Sequence, residues 1–218
     1  MFSKFLNIFA AKFFKDMVKQ RIIEEASELF GRSGVKSITM DDLARHLGIS
    51  KRTIYENFKD KEELLIACVD AFHEENFKMQ QKAFLEANNV ADAILVILQK
   101  GAGPEAQRQF NMINDIRKYY PQVFREHARF QIDQRRKMEQ LIQRGIHEGV
   151  FRDDLNPEII ALFFCRQSEN VSHNDKDFDR FSLADIFNNI GFTFMRGICT
   201  AKGIEIIDKY KKSKSSYQ

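Results

Sequence analysis

Residues 51–57 read Lys-Arg-Thr-Ile-Tyr-Glu-Asn. At helical spacing Ile54 turns to one side, and Lys51, Arg52, Thr53, Tyr55 and Asn57 present ammonium, guanidinium, hydroxyl, phenol and amide groups on the rest. A short helix studded with hydrogen-bond donors fits the major groove of B-DNA. There each base pair shows its own pattern of donors and acceptors, and an Arg can engage both guanine O6 and N7. Arg52 is the strongest candidate for such a contact, with Lys51 and Thr53 beside it. No comparable grouping suits catalysis. Cys68, Cys165 and Cys199 lack metal-ligand spacing, and His73-Glu74 has no second His one turn on. No phosphate-cradling glycine loop, dinucleotide fingerprint or Gly-x-Ser-x-Gly elbow occurs. The expectation is therefore no catalytic residue, no metal and no cofactor.

The elements that must position these donors can be read around them. Thr39 precedes a run that begins at Met40, with Asp42 three residues on, which is the pattern of an N-cap with an acidic first turn. That helix ends near Leu47. Gly48 stands where a tight turn needs positive φ, and Ser50 restarts the chain as a second short helix. Leu43, Leu47, Ile49 and Ile54 supply the apolar contacts between the two, with Ala44 small where they approach. This is the layout of a helix-turn-helix. Asp60 and Glu63 cap the helix that follows. Upstream, Val18, Ile22, Ala26, Leu29 and Phe30 form one face of a helix that Gly31 and Gly34 end.

Charge supports a polyanion partner for this head. Residues 1–61 hold 12 Lys/Arg against 8 Asp/Glu, whereas residues 62–208 hold 18 against 23. Lys209, Lys211, Lys212 and Lys214 make the end basic again, so a net charge of +3 conceals the division. With 44% hydrophobic residues the chain is too apolar for a disordered one, and three Cys are too few for a disulfide scaffold. Apolar runs such as residues 159–165 fall short of the ~20 residues that span a bilayer.

Beyond residue 61 the periodicity predicts helices over 61–86, 91–98, 105–119, 121–148, 157–170 and 182–201, with a polar loop at 171–179. Sustained two-residue alternation is missing, so the fold class is all-α. The expected organisation is an N-terminal extension (1–16), a three-helix DNA-binding domain (17–61), a larger helical domain (62–208) and a frayed basic tail (209–218). Residues 1–15, Phe-rich and basic, are read as a helix extension docked on its own protein. A membrane partner is not expected.

The stretch IIEEASELFGRSGVKSITMDDLARHLGISKRTIYENFKDKEEL, residues 22–64, resembles the DNA-binding domain of TetR-family transcriptional regulators. TIYENFKDKEEL is its most specific part. The resemblance implies a cytoplasmic homodimer that reads a pseudo-palindromic operator in double-stranded DNA, acting as a repressor released by a small-molecule effector. Tyr55, Lys61 and Thr39 would contact phosphates, and Ser50 and Asn57 would lie in the same interface. Glu56 departs from the Tyr, Lys or Arg often found there; it is expected to face a cytosine amine or a neighbouring Lys. The effector would be hydrophobic or aromatic, lined by Phe72, Met79, Phe110, Met112, Ile113, Ile116, Phe130 and Phe163. It would tilt the 61–86 helix and so change the spacing of the two heads. Ile190, Gly191, Phe194 and Gly197 would form the dimer interface. The competing readings are a helical small-molecule-binding protein, or an architectural or membrane-coupled DNA binder of the same fold.

Overall fold

The computed structural model describes residues 2–101, 103–125, 128–171 and 180–215. Helix α1 spans Phe2–Ser33 and runs without interruption through the boundary expected at residue 17. Ile22, Ile23, Ala26 and Phe30 recur at helical spacing on its buried side. Phe13, Phe14 and Met17 are exposed, whereas the side chains of residues 1–12, on which most of the expected docking falls, lie outside the described ones. Gly31 lies inside α1 rather than ending it. A Cβ there would lie 2.6 Å from the Arg108 carbonyl oxygen, so only glycine lets that backbone approach. Gly34, at φ +83°, is the stop.

Helix α2 (Met40–Leu47) begins with a reciprocal cap. The Asp42 N–H donates to Thr39 Oγ1 (3.1 Å), and the Thr39 N–H donates to the Asp42 carboxylate (3.0 Å). Gly48 takes φ 65°, and the Thr53 N–H donates to Ser50 Oγ (3.0 Å) to open α3 (Lys51–Asn57). Helix α4 (Lys61–Glu86) is capped by Asp60, which accepts from the Glu63 N–H (2.9 Å). The Glu63 carboxylate reaches back one residue further than the usual pattern, to the Lys59 N–H (2.6 Å).

These caps have a pH signature. The Thr39 hydroxyl, then its N–H, hold the Asp42 carboxyl below the ordinary Asp value of 3.8, and the Glu63 N–H does the same for Asp60. A depressed carboxyl stabilises the fold fully above its unfolded value, and the contribution is lost as pH falls through the folded value. Thermal melts taken from neutral pH downward should show wild type losing stability below 3.8 more steeply than Asp42→Asn. Parallel curves would show that the cap carries no proton linkage.

Two compact units are present: Met1–Glu74 with Arg108–Val123, and Glu75–Gln107 with Phe124–Gln218. The division expected at residue 61 does not coincide with them. Helices α5 (Val90–Gly101) and α6 (Pro104–Tyr119) follow α4, and most of α6 belongs to the first unit. It is tied there by Arg108 Nε to Glu28 (2.9 Å) and by the Val35 N–H to Asp115 (2.9 Å), and just beyond it Gln122 donates to Glu62 (2.9 Å). Phe30, Leu43, Ile54, Phe58, Leu65, Met112 and Ile116 are fully buried members of this unit.

In the second unit α5 is buried on most of its surface through Val90, Ala91, Ala93, Ile94, Leu95 and Leu98, as its nearly all-apolar sequence requires. The expected 121–148 helix is described as α7 (Pro121–Arg125) and α8 (Ala128–His147). After Gly149 (φ +69°) the backbone of Phe151 pairs with that of Cys199 in an isolated antiparallel bridge; the described residues are otherwise helical or irregular. Helix α9 (Pro157–Val171) opens on Asn156, whose Oδ1 accepts from the Ile159 N–H (3.1 Å). The predicted 182–201 helix is divided into α10 (Leu183–Ile186), a π-helical turn (Phe187–Gly191) and α11 (Phe192–Ile198). Side chains take up the loosened carbonyls there: Asn189 donates to Asp185 O (2.8 Å) and Thr193 to Asn189 O (2.5 Å). The chain is extended at Cys199.

The basic end is not frayed through Ser215. It forms α12 (Ala201–Ser215), with Ile207 buried and the Tyr210 hydroxyl donating to Gln99 (2.5 Å). Residues 172–179 of the predicted loop lie outside the described residues, as does the side chain of Phe130.

Candidate nucleic-acid interface

Buried Ile54 and Phe58 fix which way α3 faces. With these inside, Lys51, Arg52 and Tyr55 are exposed and Thr53 and Asn57 are half-buried. Tyr55 shows 45% of its surface, a large exposure for an aromatic ring in a well-packed head. Lys51 Nζ lies 6.0 Å from the centre of that ring.

Both cations of α3 are held by carboxylates. Lys51 Nζ bonds Asp41 (2.8 Å) and Arg52 Nε bonds Glu56 (2.7 Å). These bonds raise the pKa of Lys51 and of Arg52. Both pairs are exposed, and exposed pairs are weak and exchange readily for a competing anion such as phosphate. Glu56 thus finds Arg52, one turn back, rather than a lysine. Asp41 was not anticipated as a partner, because no spacing rule joins residues ten apart on two helices.

The remaining candidates divide. Thr39 is exposed, and its hydroxyl donates to Asp42 (2.6 Å). The hydroxyls of Ser50 and Thr53 share a hydrogen bond (2.8 Å). Asn57 Nδ2 donates to Thr53 O (2.8 Å), while its Oδ1 is buried without a partner. Lys61 points inward. Its ammonium donates to the carbonyls of Val35 (2.5 Å) and Ile38 and lies over the rings of Phe30 and Tyr120. Partial burial lowers its pKa. As placed, Lys61 spends two of its three N–H donors on backbone carbonyls of the head.

Residues 22–68 match the family described as bacterial regulatory proteins, tetR family. An HTH-type transcriptional regulator of Staphylococcus aureus (strain USA300) is 48% identical over 46 residues, 21% of this chain and 25% of that protein. Together these likenesses support a TetR-family transcriptional regulator. The uncharacterised HTH-type regulator YezE of Bacillus subtilis (strain 168) extends the likeness to 141 residues at 26% identity, 63% of this chain and 72% of that one. A transcriptional regulator from Saccharomonospora viridis, crystallised in complex with choline, shares the fold. Its TM-score is 0.71 at 17% identity, over 85% of this chain and 99% of that one.

The eight residues expected to line an effector pocket are distributed over both units. Phe72, Phe110, Met112, Ile113 and Ile116 lie in the first, and Met79, Phe130 and Phe163 in the second. Met112, Ile113 and Ile116 are buried. Phe163 is half-exposed and stacks on Phe194 with ring centres 5.9 Å apart. Of the expected dimer residues, Ile190 is exposed, Gly191 is buried in the π turn, and Gly197 is exposed with open space where a Cβ would go. Ile159, Leu162 and Phe181 are further exposed apolar residues of the second unit that sequence reasoning passed over. Among the described residues, no group of three or more His, Cys, Asp or Glu is arranged to hold a metal. No helix among them is long and apolar enough to cross a membrane. Cys68 and Cys199 are buried thiols, which burial pushes up to about 12 and about 11 respectively.

Proposed function

We propose that this regulator is a homodimeric repressor that reads a pseudo-palindromic operator with two copies of α3 and is released by a small hydrophobic or aromatic effector. The observation that carries the reading is the α3 face. Lys51, Arg52 and Tyr55 stand exposed on a helix whose other side is locked by Ile54 and Phe58. In this reading Arg52 leaves Glu56 for a guanine edge, Lys51 leaves Asp41 for phosphate, and Tyr55 and Thr39 flank them on phosphates. Dimerisation uses the exposed apolar residues of α9 and the π turn, Ile159, Phe163 and Ile190 among them. The choline complex of the S. viridis regulator supports a small-molecule site within this fold. An effector would act through α4 and α6, since each contributes residues to both units.

Footprinting on genomic fragments at several salt concentrations tests the proposal. A discrete palindromic footprint with a steep salt slope is expected. Sequence-independent binding alone would refute specific repression. Arg52→Ala should weaken binding about 10- to 100-fold through one base position, leaving other positions unchanged. A uniform loss over all sequences would reduce Arg52 to a phosphate contact. Adding hydrophobic and aromatic compounds one at a time to the bound complex tests the effector.

A further inference from the structure

We propose that the N-terminal half of α1 is a membrane-surface helix that lies in the headgroup region of an anionic bilayer. The described side chains supply the first observation. Phe13 is 57% exposed, Phe14 65% and Met17 54%, while two turns on Ile22 and Ala26 are wholly buried. Three large apolar residues thus stand in water on a helix that continues unbroken toward Phe2. The second observation is the sequence that this helix carries. Phe2, Phe5, Phe9 and Phe13 recur at intervals of three and four, with Leu6, Ala10 and Met17 on the same arc. Lys4, Asn7 and Lys15 fall on the other side, with Ile8 and Ala11 among them, and Lys12 lies at the border. Asp and Glu are missing from this stretch until Asp16.

Charge and apolar content together select the occupant. A phenylalanine-rich arc opposite one whose charges are all lysine is the arrangement of helices that lie in the plane of a bilayer, with rings among the upper acyl chains and ammoniums among the lipid phosphates. A second copy of the helix would bring like charges together without neutralising them. DNA would satisfy the lysines but leave the phenylalanines in water. A spanning role is excluded for the described helices by length and hydropathy. The inference stands apart from operator binding, because it uses no residue of α2 or α3.

Co-sedimentation of the full chain with vesicles tests it, using phosphatidylcholine alone and phosphatidylcholine mixed with phosphatidylglycerol. The chain should pellet with the mixed vesicles and less so at high salt. Phe13→Ser should lower partitioning about tenfold, and Phe13→Ser with Phe14→Ser further still, since each ring loses its apolar burial. Both positions are exposed, so the melting temperature should not move; deletion of residues 1–15 provides a second variant. Three results would overturn the proposal. These are failure to pellet with mixed vesicles, equal pelleting by all variants, or an effect of the serine variants confined to oligomeric state. A fall in operator affinity for Lys4→Gln, Lys12→Gln and Lys15→Gln combined, with vesicle binding unchanged, would assign the helix to DNA instead.

Discussion

Phe58→Ala should abolish operator binding by unfolding the head, with a stability loss of about 3–5 kcal/mol. Phe58 closes α3: its N–H donates to Ile54 O (2.9 Å), and its ring is 1% exposed. Lys19 Nζ lies 5.3 Å from the ring centre, which brings α1 to the same point. Removing the ring leaves a cavity where a fully buried side chain stood. Natural domains carry only ~5–15 kcal/mol in total, so a loss of this size consumes much of the margin. The contrast is Tyr55→Ala, three residues earlier on the exposed face. That variant should melt like wild type and still bind operator more weakly. Circular dichroism melts beside footprinting separate the two. If Phe58→Ala melts with wild type, the ring is not the keystone that its burial implies.

The head was legible because its signals are local. Thr39, Gly48, Ser50 and Asp60 each act on backbone within three residues, so spacing alone reveals a cap or a turn. Ile54 was legible as core for the same reason, since the helical period tells inside from outside. What escaped was not local. The sequence places Lys61 at the start of a helix beside a basic head, but nothing in its type tells that Val35 and Ile38 supply carbonyls 26 and 23 residues away. Arg108 and Asp115 belong by order to the helices after α4, yet they bond to Glu28 and Val35. Helix α12 was missed for a different reason. Its lysines suggested a solvated end and hid the Ile204, Ile207 and Tyr210 spacing, a signal that was present. At the π turn Asn189 and Thr193 bond backbone carbonyls through their side chains, which no periodicity test detects.

Lys61 decides between two accounts of how the head works, and Lys61→Ala should therefore lower stability by roughly 2 kcal/mol. Hydrogen bonds from a charged donor contribute about 1.5–3 kcal/mol, and the lower part of that range applies because the ammonium is only half-buried. Its removal strips a donor from the carbonyls of Val35 and Ile38, which hold the turn ahead of the Thr39 cap. It also leaves the rings of Phe30 and Tyr120 without their cation. The turn would loosen where α2 begins, and operator affinity would fall because α3 is no longer held against α2. A phosphate contact predicts the opposite pattern. The melting temperature would stay put, and the salt dependence of binding would flatten by the share of one lost ion contact. Lys61→Arg sharpens the distinction. A guanidinium could still reach phosphate but holds its donors in a rigid planar fork rather than at one compact ammonium, so binding would survive under the phosphate account and stability would drop under the bracing account. Melting curves of the two variants beside their salt slopes read out both accounts at once. A fall in melting temperature with an unchanged salt slope establishes Lys61 as a brace of the reading head.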